Sequence, residues 1–242
     1  ERDTSLKVKI KTVEIKQGKV NLKDKGTNSI FKLDGFNGEV ILDKIQKFSA
    51  SAQKISIKKE GWPEIAGDAD ISLTLQDKAV QINKFVVRSS GTRITGSGEY
   101  YKERGNFKTG IDLLVMSVKK IFKLERSGEG RVSASGNVSY ADKKILLDLK
   151  LSGKFYLQTL MELLKVKERV EGLIDVKGEI KGPLDNIRGT ATAALHSGNL
   201  FNVDVDLLKC NVSYDNGTMK FSDGEGRLYN GSAKVSAAIR LP

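Results

Sequence analysis

Strict alternation of apolar and polar residues is the dominant pattern along the chain. Successive side chains of a strand point to opposite faces of a sheet, so each alternating run predicts a strand with one aliphatic face and one polar face. The apolar set moves from even to odd positions after Thr12, which predicts a β-bulge at that residue. The clearest runs are Leu6 to Ile10, Ile71 to Leu75, Ile145 to Leu151, Val203 to Leu207 and Val235 to Leu241.

Residues that tolerate positive φ separate these runs and predict turns. The clearest hairpin is Tyr214 to Met219, where Asn-Gly between two short alternating strands suits a type I′ turn. Strands and turns at such short spacing predict an all-β fold with antiparallel neighbours. The other pairs of this kind are Gln17-Gly18, Asp34-Gly35, Asn37-Gly38 and Asn230-Gly231.

Two segments depart from the strand pattern. Apolar residues at helical spacing predict a helix from about Leu157 to Val166, and Met116 to Leu124 predicts a turn or short helix. Each segment leads into a glycine-flanked strand, Gly130 to Val138 and Gly172 to Ile180. Such a degenerate repeat predicts an elongated array in which each unit packs on its neighbours, so we treat 1–242 as one repeating segment.

The aliphatic side of the predicted sheet has little helical material to cover it. A sheet must bury its apolar face, so this one would fold into a sandwich, close as a barrel, or curl into a gutter that a ligand fills. An ordinary core is the general expectation, whereas an aliphatic lining without convergent polar groups suits an acyl chain. The residues expected to line the gutter are Val8, Ile10, Val20, Leu22, Ile71, Leu73, Leu75, Leu113, Val115, Ile145, Leu147, Leu149, Ile174, Val176, Val203, Val205, Leu207, Val235 and Ile239.

The net charge of +11 raises the question of an anionic partner. Lys7, Lys9 and Lys11 alternate with aliphatic residues and therefore share one face of a strand. Such a spread of charge is typical of a solvated sheet face, and it also favours anionic membrane surfaces. Nucleic-acid or polysaccharide binding ranks last, because no basic cluster with interleaved aromatic residues is found.

Residues for catalysis or metal binding are scarce. His196 is the only histidine and Cys210 the only cysteine, so neither a Cys/His metal cluster nor an intrachain disulfide can form. Asp204 and Asp206 flank Val205 on the polar face of a strand, which indicates solvated side chains. No Gly-x-Ser-x-Gly motif is present, and we expect no enzyme activity, metal or cofactor.

Two glycine-rich phrases begin like dinucleotide-binding loops. Gly96-Ser97-Gly98 and Gly224-Glu225-Gly226 carry Tyr101 and Tyr229 where the third glycine would stand, and neither opens a predicted helix. They predict strand bends or bulges instead.

The order of phrases in the chain resembles TamB-like and AsmA-like proteins. Gly172 to Leu195, with Gly182-Pro183-Leu184 at its centre, is similar to a recurring strand-turn-strand phrase of these families, although Ile187 or a neighbour replaces the second proline. Val212 to Phe221 and Gly231 to Ile239 resemble the following hairpin and strand, and Val13 to Asp24 resembles an AsmA-like repeat.

The resemblance implies a β-groove, an elongated curled antiparallel sheet with an aliphatic lining and one or two short helices. It implies a periplasmic segment of a phospholipid-transport protein of diderm bacteria, anchored in the inner membrane through regions outside this chain, with no catalytic residues. The chain is expected to be a piece of that longer protein. The alternative function is a scaffold for outer-membrane protein assembly, in which exposed strand edges pair with client strands.

Overall fold

The computed structural model describes residues 10–24, 29–42, 45–59, 64–117, 129–163, 170–200, 202–228 and 231–240. Of these residues 85% lie in strands, which confirms the all-β prediction. The strands are β1 Thr12–Asp24, β2 Ser29–Ile41, β3 Gln46–Lys59, β4 Ile65–Gln76, β5 Ala79–Ser89, β6 Thr92–Tyr101, β7 Arg104–Leu114, β8 Gly130–Ala141, β9 Lys144–Tyr156, β10 Val170–Pro183, β11 Arg188–Leu200, β12 Val203–Asp215, β13 Thr218–Leu228 and β14 Gly231–Arg240.

The fourteen strands form one antiparallel sheet in which their order equals their order in the chain. The sheet curls but does not close into a barrel, so β1 and β14 are its two edges. At a strand spacing of about 4.8 Å, the array is about 60 Å long. This architecture confirms the predicted curled antiparallel sheet.

The sheet is not folded against a second layer over most of its area. Each strand makes its extensive contacts with the strands before and after it, and helical cover comes only at one place among the described residues. The accessible surface of the chain is 17052 Å². A compact monomer of this mass would expose about 10,700 Å². A single open sheet, and not a closed sandwich, therefore describes the fold of these residues.

Tight turns connect the strands along one side of the sheet, which we call the tight-turn rim. It comprises the connections β4–β5, β6–β7, β8–β9, β10–β11 and β12–β13. The Asn216-Gly217 turn has φ values of 47° and 73°, which confirms the predicted hairpin and suits a type I′ turn. Asp77-Lys78, Lys102-Glu103 and Asp142-Lys143 also have positive φ at both positions.

Bulges inside the strands account for two pairs that the sequence predicted as turns. Gln17 of β1 has a φ of 52°, and the register against β2 shifts on either side of Gly18. Gly35 has a φ of 63° within β2, while Asn37-Gly38 simply continues that strand. The Gln17 N–H donates to Asn37 Oδ1 at 3.1 Å, so the bulged backbone keeps a partner.

The bulge predicted at Thr12 is wrong. Thr12 and Val13 pair in regular register with Ile41 and Val40. A separate phase change, from odd to even positions, occurs at Gln17. Asn230, from the last of the predicted turns, lies outside the described residues.

One helix, α1, spans Leu157–Leu163 and confirms the first part of the predicted helix; the rest lies outside the described residues. Its apolar residues Leu157, Leu160 and Met161 follow helical spacing and pack on the same cluster of strand residues. Within the predicted segment Met116 to Leu124, the structure describes only a helical turn at residues 115–117.

Glycines in the strands permit close approach of neighbouring backbones, and Gly178 of β10 gives a test. A Cβ at this position would collide with the carbonyl oxygen of Thr190, whereas a Cβ at Gly189 of β11 would lie 3.4 Å from its nearest atom. We expect Gly178→Ala to lower the free energy of unfolding by about 1–3 kcal/mol. Gly189→Ala should be neutral or slightly stabilising. Urea denaturation of both variants checks this, and equal losses would contradict the steric explanation.

Candidate functional site

The candidate site is one whole side of the sheet, which we call the aliphatic face. Directly paired residues of neighbouring strands place their side chains on the same face. One continuous row across the first five strands consists of Val13, Val40, Phe48, Leu73 and Ile82, each paired with the next. The row shows how alternation in separate strands adds up to a shared apolar surface.

The same face continues through the second half of the sheet. Phe155 of β9 pairs with Ile174 of β10, which pairs with Leu195 of β11 and then with Leu208 of β12. Phe107, Val138 and Leu147 form a further row across β7, β8 and β9. The aliphatic face therefore runs along the array without interruption by a charged row.

The pairing places most of the residues predicted to line a gutter on the aliphatic face. Some of them, such as Leu149 and Val205, are buried, whereas Leu22 is 57% exposed. The members on this face are Val20, Leu22, Ile71, Leu73, Leu75, Leu113, Ile145, Leu147, Leu149, Ile174, Val176, Val203, Val205, Val235 and Ile239.

Leu207 lies on the other face, contrary to the sequence prediction. It pairs with His196 of β11 and Arg227 of β13, both on the polar side, and Leu208 occupies the aliphatic position beside Leu195. An irregularity at Ser197, whose φ is 48°, accompanies this phase change and could not be read from the alternation of β12 alone.

Three other predicted residues stand apart from the strands of the aliphatic face. Val8 lies outside the described residues. Ile10 precedes β1 and is 58% exposed. Val115 is buried in the helical turn that follows β7, so it belongs to a connection between strands and not to a strand row.

Phenylalanine residues on the aliphatic face were missing from the predicted lining. Alternation could have identified three of them, because Phe48, Phe107 and Phe221 each stand between two polar residues. Small residues also lie here, including Ala50, Ala52, Ala191 and Ala193. The phenylalanines on the face are Phe31, Phe36, Phe48, Phe85, Phe107, Phe155 and Phe221.

Helix α1 covers the aliphatic face at one side of the sheet only. Leu157 packs with Val170, Leu195 and Val205 in a buried cluster at the ends of β10, β11 and β12. The Gly172 N–H donates to Gln158 Oε1 at 3.3 Å, which joins the helix to β10. The remaining rows have no helix over them among the described residues.

The opposite, polar face is held by ion pairs between neighbouring strands. Arg88 Nη1 lies 2.5 Å from Asp68 Oδ1 and 2.9 Å from Asp70 Oδ2, linking β5 to β4. The hydrogen bonds that the Arg88 guanidinium donates to these carboxylates, with Asp68 the larger cause, raise the pKa of Arg88. Arg131 Nε lies 2.9 Å from Asp112 Oδ1 in the same way. Exposed pairs of this kind contribute at most about 1 kcal/mol each.

Shallow hollows lie between the polar side chains of this face. One of them has a volume of about 700 Å³ and is lined by Glu14, Lys16, Asp70 and Lys84 with several serines. His196 Nε2 lies 3.1 Å from Asp175 Oδ2, and its direct cross-strand neighbours are Leu173 and Leu207. The His196–Asp175 contact thus connects β11 to β10 within a polar surface.

Among the described residues, no group of three or more His, Cys, Asp and Glu side chains is placed to hold a metal ion. Within the same ranges, no helix has the length and apolarity needed to cross a bilayer.

Cys210 provides a chemical probe of the aliphatic face, because it pairs with Ala193 and is half-buried there. Burial raises the pKa of its thiol. We expect Cys210 to react with iodoacetamide more slowly than a cysteine at exposed Ser213, on the polar face of the same strand, introduced with Cys210→Ser. The rate at position 213 divided by the rate at Cys210 should fall as pH rises. The thiolate is the nucleophile, and the Cys210 thiol, with its raised pKa, ionises at higher pH. A ratio of one at neutral pH would contradict the assignment.

No protein-family model matches the chain, and no curated protein and no solved structure shows significant similarity to it. The surfaces described above therefore carry the argument for function.

Proposed function

We propose that the chain binds phospholipid acyl chains along its aliphatic face, as a segment of an intermembrane phospholipid-transport protein. One observation carries the proposal: the aliphatic face crosses all fourteen strands and is covered by other structure only near α1 among the described residues. Exposed aliphatic surface on this scale marks an interaction or ligand site in a water-soluble fold.

The chemistry of binding is desolvation. Each buried CH₂ group contributes about 0.8 kcal/mol relative to water. The rows contain aliphatic and phenylalanine side chains, so no position offers an acyl chain a directional bond. A chain bound in this way can slide along the face, because neighbouring positions have similar binding free energies.

Small residues on the aliphatic face suit an acyl cargo. Alanines and glycines such as Ala52, Ala193 and Gly178 leave room between the larger apolar side chains. The polar face, with its ion pairs and lysines, would remain in water. Phospholipid headgroups would stay wet at the open seam while the tails contact the aliphatic rows.

The resemblance to TamB-like and AsmA-like proteins supports the same function and extends it. On that basis the chain is a periplasmic segment of a longer protein with an inner-membrane anchor, and it works without catalysis or cofactor. The curled antiparallel sheet is the architecture that this resemblance implies. The direction of transport and its energy source would come from the rest of the assembly.

A second function, scaffolding of outer-membrane protein assembly, is favoured by the sheet edges. Among the described residues, β1 and β14 each have a neighbour on one side only, and an added strand could pair with their outer backbone groups. Such addition would use main-chain hydrogen bonds and leave the aliphatic face as an ordinary apolar surface.

Leu73→Asp tests the acyl-chain function, with Ser72→Asp as its matched control. The two residues are adjacent in β4, both are partly exposed, and they lie on the aliphatic and polar faces respectively. We expect Leu73→Asp to abolish copurification of phospholipid while the melting temperature changes little, because the introduced carboxylate still reaches water. Ser72→Asp should retain the lipid.

The melting temperature separates a groove from a dry core. An unpaired charge in a dry core costs several kcal/mol, so a collapse of the fold in Leu73→Asp would argue against an open groove. Wild-type protein that captures no phospholipid would also overturn the proposal and leave the scaffold function ahead.

The scaffold function predicts a different result, which photocrosslinking can measure. A crosslinker at Ser236 of the edge strand β14 should capture an extended peptide with an outer-membrane strand sequence. The same crosslinker at Ser152 of the interior strand β9 should not, because both neighbours of β9 are already in place. Equal yields at the two exposed serines would argue against strand addition.

A further inference from the structure

The alternation of apolar and polar residues breaks down at the tight-turn rim. Tyr100-Tyr101 and Ile145-Leu146 are consecutive large apolar residues, so they point to opposite faces of the sheet. Tyr101 is 42% exposed and Leu146 is 39% exposed. The tight-turn rim is therefore apolar on both faces at these positions, whereas the middle of each strand is apolar on one face.

These residues come together from neighbouring hairpins. Gly105 pairs with both Tyr100 and Tyr140, which sets the β6–β7 and β8–β9 turns side by side. The rings of Tyr100 and Tyr140 have centroids 6.2 Å apart. The Leu184 N–H donates to the Ile145 carbonyl oxygen at 2.9 Å, which adds a side chain that is 55% exposed to the same edge.

Basic residues accompany this apolar edge. Lys102, Arg104, Lys143 and Lys144 belong to the two turns or the first residues after them, together with the acidic Glu103 and Asp142. Among the described residues, none of the four basic side chains has a carboxylate within ion-pair distance. The Lys102 Nζ lies 5.0 Å from the centroid of the Tyr101 ring. These two turns thus carry net positive charge with unpaired cations.

We propose that the tight-turn rim from β6 to β11 docks on the surface of an anionic phospholipid bilayer. Exposed aliphatic side chains enter the boundary between headgroups and acyl chains, and tyrosines are suited to that boundary because they join an apolar ring to a polar hydroxyl. Lysine and arginine attract the anionic headgroups above it. The tight-turn rim is thin and apolar on both faces. Such a rim fits a bilayer, whose lipids can surround both faces, better than it fits the surface of a protein.

Rim docking goes beyond the cargo proposal and does not depend on it. The resemblance places membrane attachment outside this chain, whereas the rim would give the chain its own contact with a bilayer. If both hold, the docked rim lies at the border of the aliphatic face, since Tyr100, Tyr140 and Ile145 belong to that face as well. A lipid tail would then pass between bilayer and sheet without crossing open water.

Sedimentation with vesicles tests the attraction between the basic residues of the tight-turn rim and anionic headgroups. The rim variant carries Lys102→Glu, Lys143→Glu and Lys144→Glu. The control carries Lys32→Glu, Lys84→Glu and Lys108→Glu, which lie in the strands on the polar face and change the net charge equally. On vesicles of phosphatidylcholine with phosphatidylglycerol, we expect the rim variant to bind at least about tenfold more weakly than the control. Equal binding of the two variants overturns the proposal, because it reduces the effect to net charge.

Tryptophan fluorescence tests the position of the rim. With Trp62→Phe, the variants Leu146→Trp and Tyr156→Trp each carry a single tryptophan, at opposite ends of β9 and with similar exposure of the replaced residue, 39% and 37%. Brominated phospholipid vesicles should quench Leu146→Trp and leave Tyr156→Trp unquenched. Equal quenching, quenching of Tyr156→Trp alone, or no vesicle binding by the wild-type chain would each overturn the proposal.

The two proposals fail separately. Leu73→Asp should lose copurified phospholipid but still sediment with vesicles, and the rim variant should retain copurified phospholipid. Wild-type protein that sediments with vesicles but carries no lipid would leave rim docking standing and remove the acyl-chain function.

Discussion

Pairing between neighbouring strands is the constraint on which this molecule depends. The two residues of each pair in the antiparallel ladder share a face. A shift of one residue in one strand would therefore move all of its aliphatic residues to the polar face. The bulges at Gln17 and Gly35 correct such errors locally, and Val13 and Val20 of β1 reach the same face through them. A continuous aliphatic face is thus a product of register.

A sheet with no second layer has consequences for both stability and function. Hydrophobic burial comes from contacts along the aliphatic face, from the cluster beneath α1, which includes Leu157 and Leu195, and from Val86 on the polar face. Most aliphatic rows keep contact with solvent, so the same residues that would form a core in a sandwich remain open to a ligand. The ion pairs of the other face, such as Arg131 with Asp112, link strands without closing either side.

The two long borders of the sheet differ in construction. Connections at one border carry α1, which packs on the ends of strands and covers apolar side chains, and a helical turn at residues 115–117, in which Val115 is buried. The tight-turn rim has two-residue turns such as Lys102-Glu103, which are too short to cover anything and leave Tyr101 and Leu146 exposed. Short turns therefore determine where apolar residues of both faces reach the surface together.

Period-two alternation by itself determined the strand class and the polar and aliphatic sides of single strands, and helical spacing determined the start of α1, because these depend on local residue order. The Asn216-Gly217 turn could also be predicted, since its residues favour positive φ. Asp77-Lys78 and Asp142-Lys143 have positive φ at both positions without a glycine, so their turns lacked this signal. Only the tertiary structure decided that Leu208 and not Leu207 faces the aliphatic side, and that no second layer covers it. Both depend on how distant strands pair, and a strand's own sequence does not contain its neighbour's register.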